Sequence, residues 1–410
     1  MTAMSRASDV TPGPAADAAL AGASSRRAVL AAALGLLSLP ARHAGATQAR
    51  SQTATADATR RLDRLDLRHY IDAAGRTRPV VTPDDWQHRR AAIHRAMQHV
   101  MGPLPAGIAS RGETAHASSR RPPAWEVIAE ADAGTYVRRS IAYTVDDGPK
   151  TPAYLCIPKS VLGDAATGAA APAVLCLHPT DDTIGHGVVV GLGGRPNRAY
   201  AAELAERGFV TLAPAYPLLA DYQPDVLALG YASGTMKAIH DNVRGLDLLD
   251  SLPFVRAGRH GAIGHSLGGH NAIYTAVFEP RLTAIASSCG FDLFVDYYGG
   301  RPDVWQREKG WCQVRYMPRL LEYAGRLADI PFDFAELLGA LAPRACFVSA
   351  PTGDTNFQWR SVARAVDAAS AVYTLHDAPE RLVVRHPEAD HDFPEPMRLE
   401  AYAMFERVLR

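Results

Sequence analysis

The sequence predicts an α/β protein: a mostly parallel sheet covered by helices on both faces, with an N-terminal helix and a short antiparallel set of strands in front of it. Three observations carry this reading. After Pro172, short apolar runs alternate with stretches of helical periodicity, as a buried parallel sheet requires. Between residues 125 and 157, three runs are separated by turn sequences such as Asp146-Asp147-Gly148, the signature of neighbouring antiparallel strands. The composition, 47% hydrophobic and 21% charged over 410 residues, is that of a chain burying a large core. The 43 basic and 43 acidic residues cancel without long runs of one sign, so no nucleic-acid partner is expected.

The elements follow in chain order. Ser25-Arg26-Arg27 stands directly before the apolar stretch from Ala28 to Leu39, and Ala44-Gly45-Ala46 offers a small-residue cleavage site, so residues 1–46 read as a twin-arginine signal peptide. The apolar stretch is too short for a bilayer span, which needs roughly 18 residues or more, and nothing later is longer. The expected destination is the periplasm or the medium, with no stable membrane insertion once the signal is removed. Residues 47–122 read as a linker and N-terminal helical arm: Trp86, Ile93, Met97 and Val100 recur at helical spacing, and Gly102-Pro103 ends the segment.

Residues 123–410 read as one domain. The antiparallel runs are 125–128, 136–143 and 153–157. Strands are then expected at 173–178, 209–213, 260–264, 282–287, 345–349 and 382–385, with helices at 199–207, 235–249 and 395–410. Residues 291–332 interrupt the alternation with an aromatic-rich insertion, including Tyr297, Tyr298 and Trp305, whose weak periodicity leaves two roles open: a wall or lid over a substrate pocket, or packing on the core.

One motif carries chemistry. Gly264-His265-Ser266-Leu267-Gly268-Gly269 follows an apolar strand and opens a helix. A serine on such a sharp turn sits in strained backbone geometry, and small residues two positions either side avoid the neighbouring chain. A hydroxyl is a weak nucleophile until a base takes its proton, so an imidazole and an orienting carboxylate must follow. Asp354 lies just beyond strand 345–349 and is the expected acid. His391, beyond strand 382–385, is the expected base. His386 sits too close to its strand end and His376 precedes the last strand; Asp329 and Asp333 precede strand 345–349, and Asp333, with Glu336 three residues on, reads as a helix cap.

The oxyanion of a tetrahedral intermediate needs backbone N–H donors, expected from Leu267 and, after strand 173–178, from Thr180, since Pro179 has no N–H. His178, His186, Asp181 and Asp182 read as strand-end structure, so no metal is expected. Gly191-Leu192-Gly193-Gly194 lacks dinucleotide spacing and reads as a turn near the site mouth. The cysteines at 156, 176, 289, 312 and 346 form no C-x-x-C pair; a Cys289 to Cys312 bridge is left open, and the others read as small buried hydrophobes.

On the elbow 264–269 and the segment Asp390-His391-Asp392-Phe393-Pro394, the chain from about residue 83 resembles exported bacterial α/β-hydrolases of the dienelactone-hydrolase-like and acetyl-xylan-esterase-like group. It departs from true dienelactone hydrolases, which carry Cys where Ser266 stands. It also lacks the Arg-Gly-Gln motif and His-Glu pair of cephalosporin-deacetylase-type acetyl esterases, and has Leu267 where prolyl-oligopeptidase relatives carry Tyr. The resemblance implies an α/β-hydrolase fold and a serine carboxylic-ester hydrolase working through an acyl-enzyme, without a cofactor. Small-molecule or carbohydrate esters are the expected substrates, Tyr297, Tyr298 and Trp305 the expected pocket aromatics, and a peptidase or amidase with the same triad is the alternative.

Overall fold

The computed structural model describes residues 61–105, 121–163 and 170–410; the signal-peptide reading of residues 1–46 lies outside them. Residues 61–80, expected as linker, are tied to the body. They carry a two-stranded hairpin, β1 (His69–Ile71) and β2 (Thr77–Pro79). The turn is organised by Asp72, whose carboxylate accepts from the backbone of Ala74 and Arg76. Helix α1 (Pro83–Met101) starts in a reciprocal capping box between Thr82 and Asp85 and buries Trp86, Ile93, Met97 and Val100, as its periodicity requires.

The main sheet has nine strands in the order β11, β10, β9, β8, β6, β7, β5, β4, β3. Strands β3 (Trp125–Asp132), β4 (Tyr136–Tyr143) and β5 (Thr151–Pro158) pair antiparallel, and β5 joins β7 (Val210–Pro214) antiparallel. The others, β6 (Ala171–Leu177), β8 (Val255–His265), β9 (Leu282–Ser288), β10 (Ala345–Ser349) and β11 (Leu382–Arg385), continue from β7 in parallel register. Between them run α2 (Tyr200–Glu206), α3 (Gly234–Ser251), α4 (Leu267–Phe278), α5 (Phe334–Leu341), α6 (Trp359–Leu375) and, last, α7 (Glu395–Leu409).

Both faces of β6, β7 and β10 are dry, which is why their sequences are continuous apolar runs. In β6 the pleat sends Ala173, Leu175 and Leu177 into the core shared with α1, α3, α4 and α5, while Val174 and Cys176 point to the opposite core, built with Tyr200, Leu204, Tyr402 and Phe405 of α2 and α7. The insertion 291–332 is a string of short 3₁₀ turns. Its middle packs inward: Trp305 and Phe294 are buried, with ring centroids 6.2 Å apart. Trp305 therefore cannot line an open pocket, a correction to its expected role. All five cysteines are free and buried, so Cys289 and Cys312 are not bridged. Among the described residues no helix is long and apolar enough to cross a membrane.

The chain leaves β6 for β7 on one side and returns to β8 on the other. This switch point opens a crevice at the carboxyl ends of β6 and β8, where ligands bind in open α/β sheets.

Candidate active site

Ser266 stands in that crevice. It is the N-cap of α4 with φ 55° and ψ −118°, a left-handed conformation at a non-glycine residue that the packing around it imposes. Gly268 presses so closely on the end of β6 that a Cβ there would overlap the Leu177 carbonyl oxygen, and one on Gly264 would overlap the backbone of Gly268. A Cβ on Gly269 would meet Gly290 Cα and Ser288 O at 2.9 Å. The Ser266 N–H donates to Ser288 O at 2.8 Å, joining the turn to the end of β9. The side chain of Ser266 is half-buried, open to the crevice.

His391 and Asp354 converge from loops beyond the two outermost parallel strands. His391 Nδ1 donates to both carboxylate oxygens of Asp354, at 3.0 and 2.9 Å. The Asp354 side chain is 1% exposed and that of His391 18%. Asp354 also accepts from the backbone N–H of Asn356 and Phe357, so its own loop fixes it. The imidazole of His391 lies against that of His265, the residue preceding Ser266, with centroids 4.8 Å apart, and 6.0 Å from Phe357. The structure thus brings residues 354 and 391 into direct contact beside the serine turn. Binding Nδ1 to a carboxylate fixes the tautomer whose Nε2 carries a lone pair, the form a general base needs.

The expected alternatives take structural parts. His386 Nδ1 bonds the carbonyl of Ala350 and its ring packs on Trp359, whereas His376 caps α6. Asp333 forms the capping box of α5 with Glu336.

At the oxyanion side, Leu267 is the first residue of α4, so its N–H has no partner within the helix. The contact of Gly268 with Leu177 brings that end of the helix against the end of β6 and the loop bearing Thr180. The Thr180 hydroxyl bonds Tyr316 Oη at 3.1 Å, which ties this loop to the insertion. His178 is buried and its pKa is pushed down to about 3, chiefly by burial. Its Nε2 accepts from Tyr216 N–H at 2.9 Å and its Nδ1 donates to Pro179 O at 2.7 Å, which leaves no lone pair for a metal. Among the described residues, the grouping with metal-like spacing is Cys289, Asp354 and His391, whose ligand atoms lie within 4.8 Å of one another. In this grouping Cys289 Sγ donates to Asp392 O at 3.2 Å and both Asp354 oxygens accept from His391 Nδ1, so the Asp354–His391 pair reads as a hydrogen-bonded dyad.

Of the expected pocket aromatics, Tyr298 donates its hydroxyl to Asn356 Oδ1 at 2.8 Å, and Tyr297 packs 5.8 Å from Phe357. Both are half-buried and lean on the acid loop.

Sequence reasoning missed a group of residues under the histidine loop. The turn beyond Gly191–Gly194 delivers Asn197 and Arg198 to Asp392: Asn197 Nδ2 donates to Oδ2 at 2.7 Å and the Arg198 guanidinium to Oδ1. Arg198 Nη2 also reaches His391 O at 3.2 Å. No local signal marks Arg198; only its neighbourhood in the fold does.

No family model and no curated protein matches the sequence. Solved structures do. A glucuronoyl esterase from Solibacter usitatus is 19% identical with a TM-score of 0.64, the likeness covering 85% of this chain and 98% of that one. A CE15 glucuronoyl esterase from Teredinibacter turnerae is 15% identical, TM-score 0.62, covering 83% and 88%. A glucuronoyl esterase variant from Sporotrichum thermophile, in complex with methyl 4-O-methyl-β-D-glucopyranuronate, is 14% identical, TM-score 0.56, covering 86% and 89%. The chain has the α/β-hydrolase fold.

Proposed function

We propose that this chain is a serine carboxylic-ester hydrolase acting on esters borne by carbohydrate. The observation that carries the reading is the convergence of the strained Ser266 turn with a buried Asp354–His391 pair at the carboxyl edge of one parallel sheet. In this scheme Ser266 Oγ gives its proton to His391 Nε2 and attacks the ester carbonyl. The N–H groups of Leu267 and Thr180 receive the developing oxyanion, each worth on the order of 3 kcal/mol. His391 then returns the proton to the departing alcohol, leaving an acyl-enzyme that water releases by the same steps in reverse. Asp354 holds the tautomer and balances the imidazolium. The carbohydrate part of the reading is supported by the fold neighbours, which are glucuronoyl esterases, and the half-buried Tyr297 and Tyr298 supply apolar faces of the kind sugars stack on. The paired arginines of residues 26 and 27 support export by the twin-arginine route, placing the enzyme where such polymers are met.

The test is labelling and turnover together. A fluorophosphonate probe is expected to modify Ser266, and Ser266→Ala to lose about 10⁴-fold or more in turnover on a panel of acetyl, feruloyl and uronate methyl esters. Labelling elsewhere, or an active alanine variant, overturns the assignment. Faster cleavage of aminoacyl anilides than of every ester would move it to the amidase class.

A further inference from the structure

We propose that Arg198, acting through Asp392, is a positioning residue that holds His391 in its productive orientation; this rests on the assignment of His391 as the base. Residue 392 is gripped from both sides. Its carboxylate takes the guanidinium of Arg198 on Oδ1 and Asn197 Nδ2 on Oδ2, while its carbonyl accepts from Cys289 Sγ at 3.2 Å and Ser288 Oγ at 3.4 Å. The other arm of the Arg198 fork donates to the carbonyl of His391 itself at 3.2 Å. One planar cation therefore bridges the main chain of the base and the side chain that follows it, a match to the fixed geometry of guanidinium that a lysine ammonium would not reproduce.

The buried guanidinium, against an Asp392 side chain 31% exposed, separates this pair from an ordinary surface ion pair. Arg198 is 4% exposed, and its remaining contacts are carbonyls of its own turn, Pro196 O at 3.1 Å and Asn197 O at 3.3 Å. Asn197 is itself held, its Oδ1 accepting from Arg398 of α7, which also donates to Phe393 O at 2.7 Å. The histidine loop is thus fastened at 391, 392 and 393 by two arginines from different elements. The ring of His391 is held separately, by Asp354 at Nδ1 and by the tilted ring of His265 at 4.8 Å. With the main chain pinned by Arg198 and Nδ1 pinned by Asp354, little rotation is left to the imidazole, and Nε2 is aimed without any group touching it. Loosening the first restraint leaves all three triad side chains in place and spoils their alignment, where displacement of about 1 Å costs about 100-fold.

The experiment compares Arg198→Ala, Arg198→Lys and Asp392→Asn with wild type. Arg198→Ala is expected to lower kcat about 100-fold with KM within about threefold, added guanidinium ion to restore about tenfold of the loss, and Arg198→Lys to fall between, because it keeps the charge and not the fork. Asp392→Asn, which keeps the volume, is expected to lose about tenfold in kcat and serves if Arg198→Ala does not fold. An activity-independent reading is the low-field proton resonance of the His391 Nδ1–H, expected in wild type and broadened or absent in folded Arg198→Ala. Folded variants that keep wild-type kcat and that resonance, or that lose only in KM, overturn the proposal. Failure of wild type to label at Ser266 would sink the esterase assignment alone, since the resonance comparison still reads the clamp.

Discussion

The serine turn and the histidine loop stand side by side and are built on opposite principles. The turn is fixed by steric exclusion: its glycines touch backbone, not flexible side chains, and Ser266 has nowhere else to go. The loop is fixed by hydrogen bonds and ion pairs from side chains of distant elements, Asp354, Arg198, Asn197 and Arg398. The position of Ser266 is therefore part of the fold, whereas that of His391 is an adjustment laid over it. Damage to the first is expected to cost stability, and damage to the second activity.

The largest effect expected on the loop side comes from Asp354→Asn. The amide cannot hold the imidazolium, and an amide NH₂ facing Nδ1 selects the wrong tautomer, so turnover is expected to fall on the order of 10⁴-fold while the unfolding midpoint stays near that of wild type. A steady-state assay paired with a thermal melt reads both, and equal damage to both would erase the contrast. On the turn side, Gly268→Ala drives a Cβ into the Leu177 carbonyl. Its expected cost is about 4 kcal/mol or more in denaturant-measured stability, at the severe end for single substitutions. A stable, active Gly268→Ala protein would show that the turn can yield.

Acid sharpens the comparison with a smaller, graded effect. Around the turn His178 and His270 are held neutral, with pKa pushed down to about 3, and His186 to about 4, in each case mainly by burial. The unfolded chain binds these protons near pH 6.5 and the folded one only far lower. Stability is then full above about pH 6.5 and declines as pH falls from there toward 3. The loop behaves otherwise. The Asp392 carboxylate is held below its usual value: partial burial works against this, and Arg198 and Asn197 outweigh it, so the clamp stays charged through that range. Denaturant midpoints measured across pH 7.5 to 5 are expected to drop; a flat midpoint would contradict the buried-histidine account.

Legibility in the sequence follows the same division. Strands 345–349 and 382–385 are found at their expected residues because each is a short apolar run, the first buried on both faces and the second partly buried at the sheet edge. The meeting of Asp354 and His391 beside the Ser266 turn was expected because each lies beyond the carboxyl end of a strand, where the loops of an open α/β sheet converge. The hairpin of β1 and β2 was not, because His69–Ile71 and Thr77–Pro79 are short, polar and held by Asp72 instead of by apolar pattern. Arg198 was invisible because its meaning lies in a partner 194 positions away. Trp305 was misplaced because an aromatic without periodicity does not reveal which way it faces, and here Phe294 and Tyr297 claim it.

The arm ahead of α1 sets a boundary on how far the chain can be shortened. Arg61 pairs with Glu336, Arg64 with Asp333, and Arg89 holds the carbonyls of Asp63 and Asp66 while bonding Glu336. Asp333 is wholly enclosed, and burial alone would push its carboxyl up, to about 6 even with Arg64 beside it. Loss of the chain through Arg64 would strand Asp333 in the interior without its cation, while Glu336 would keep Arg89. Any cut ahead of α1 that leaves this pairing intact has to fall upstream of Arg61 and Arg64.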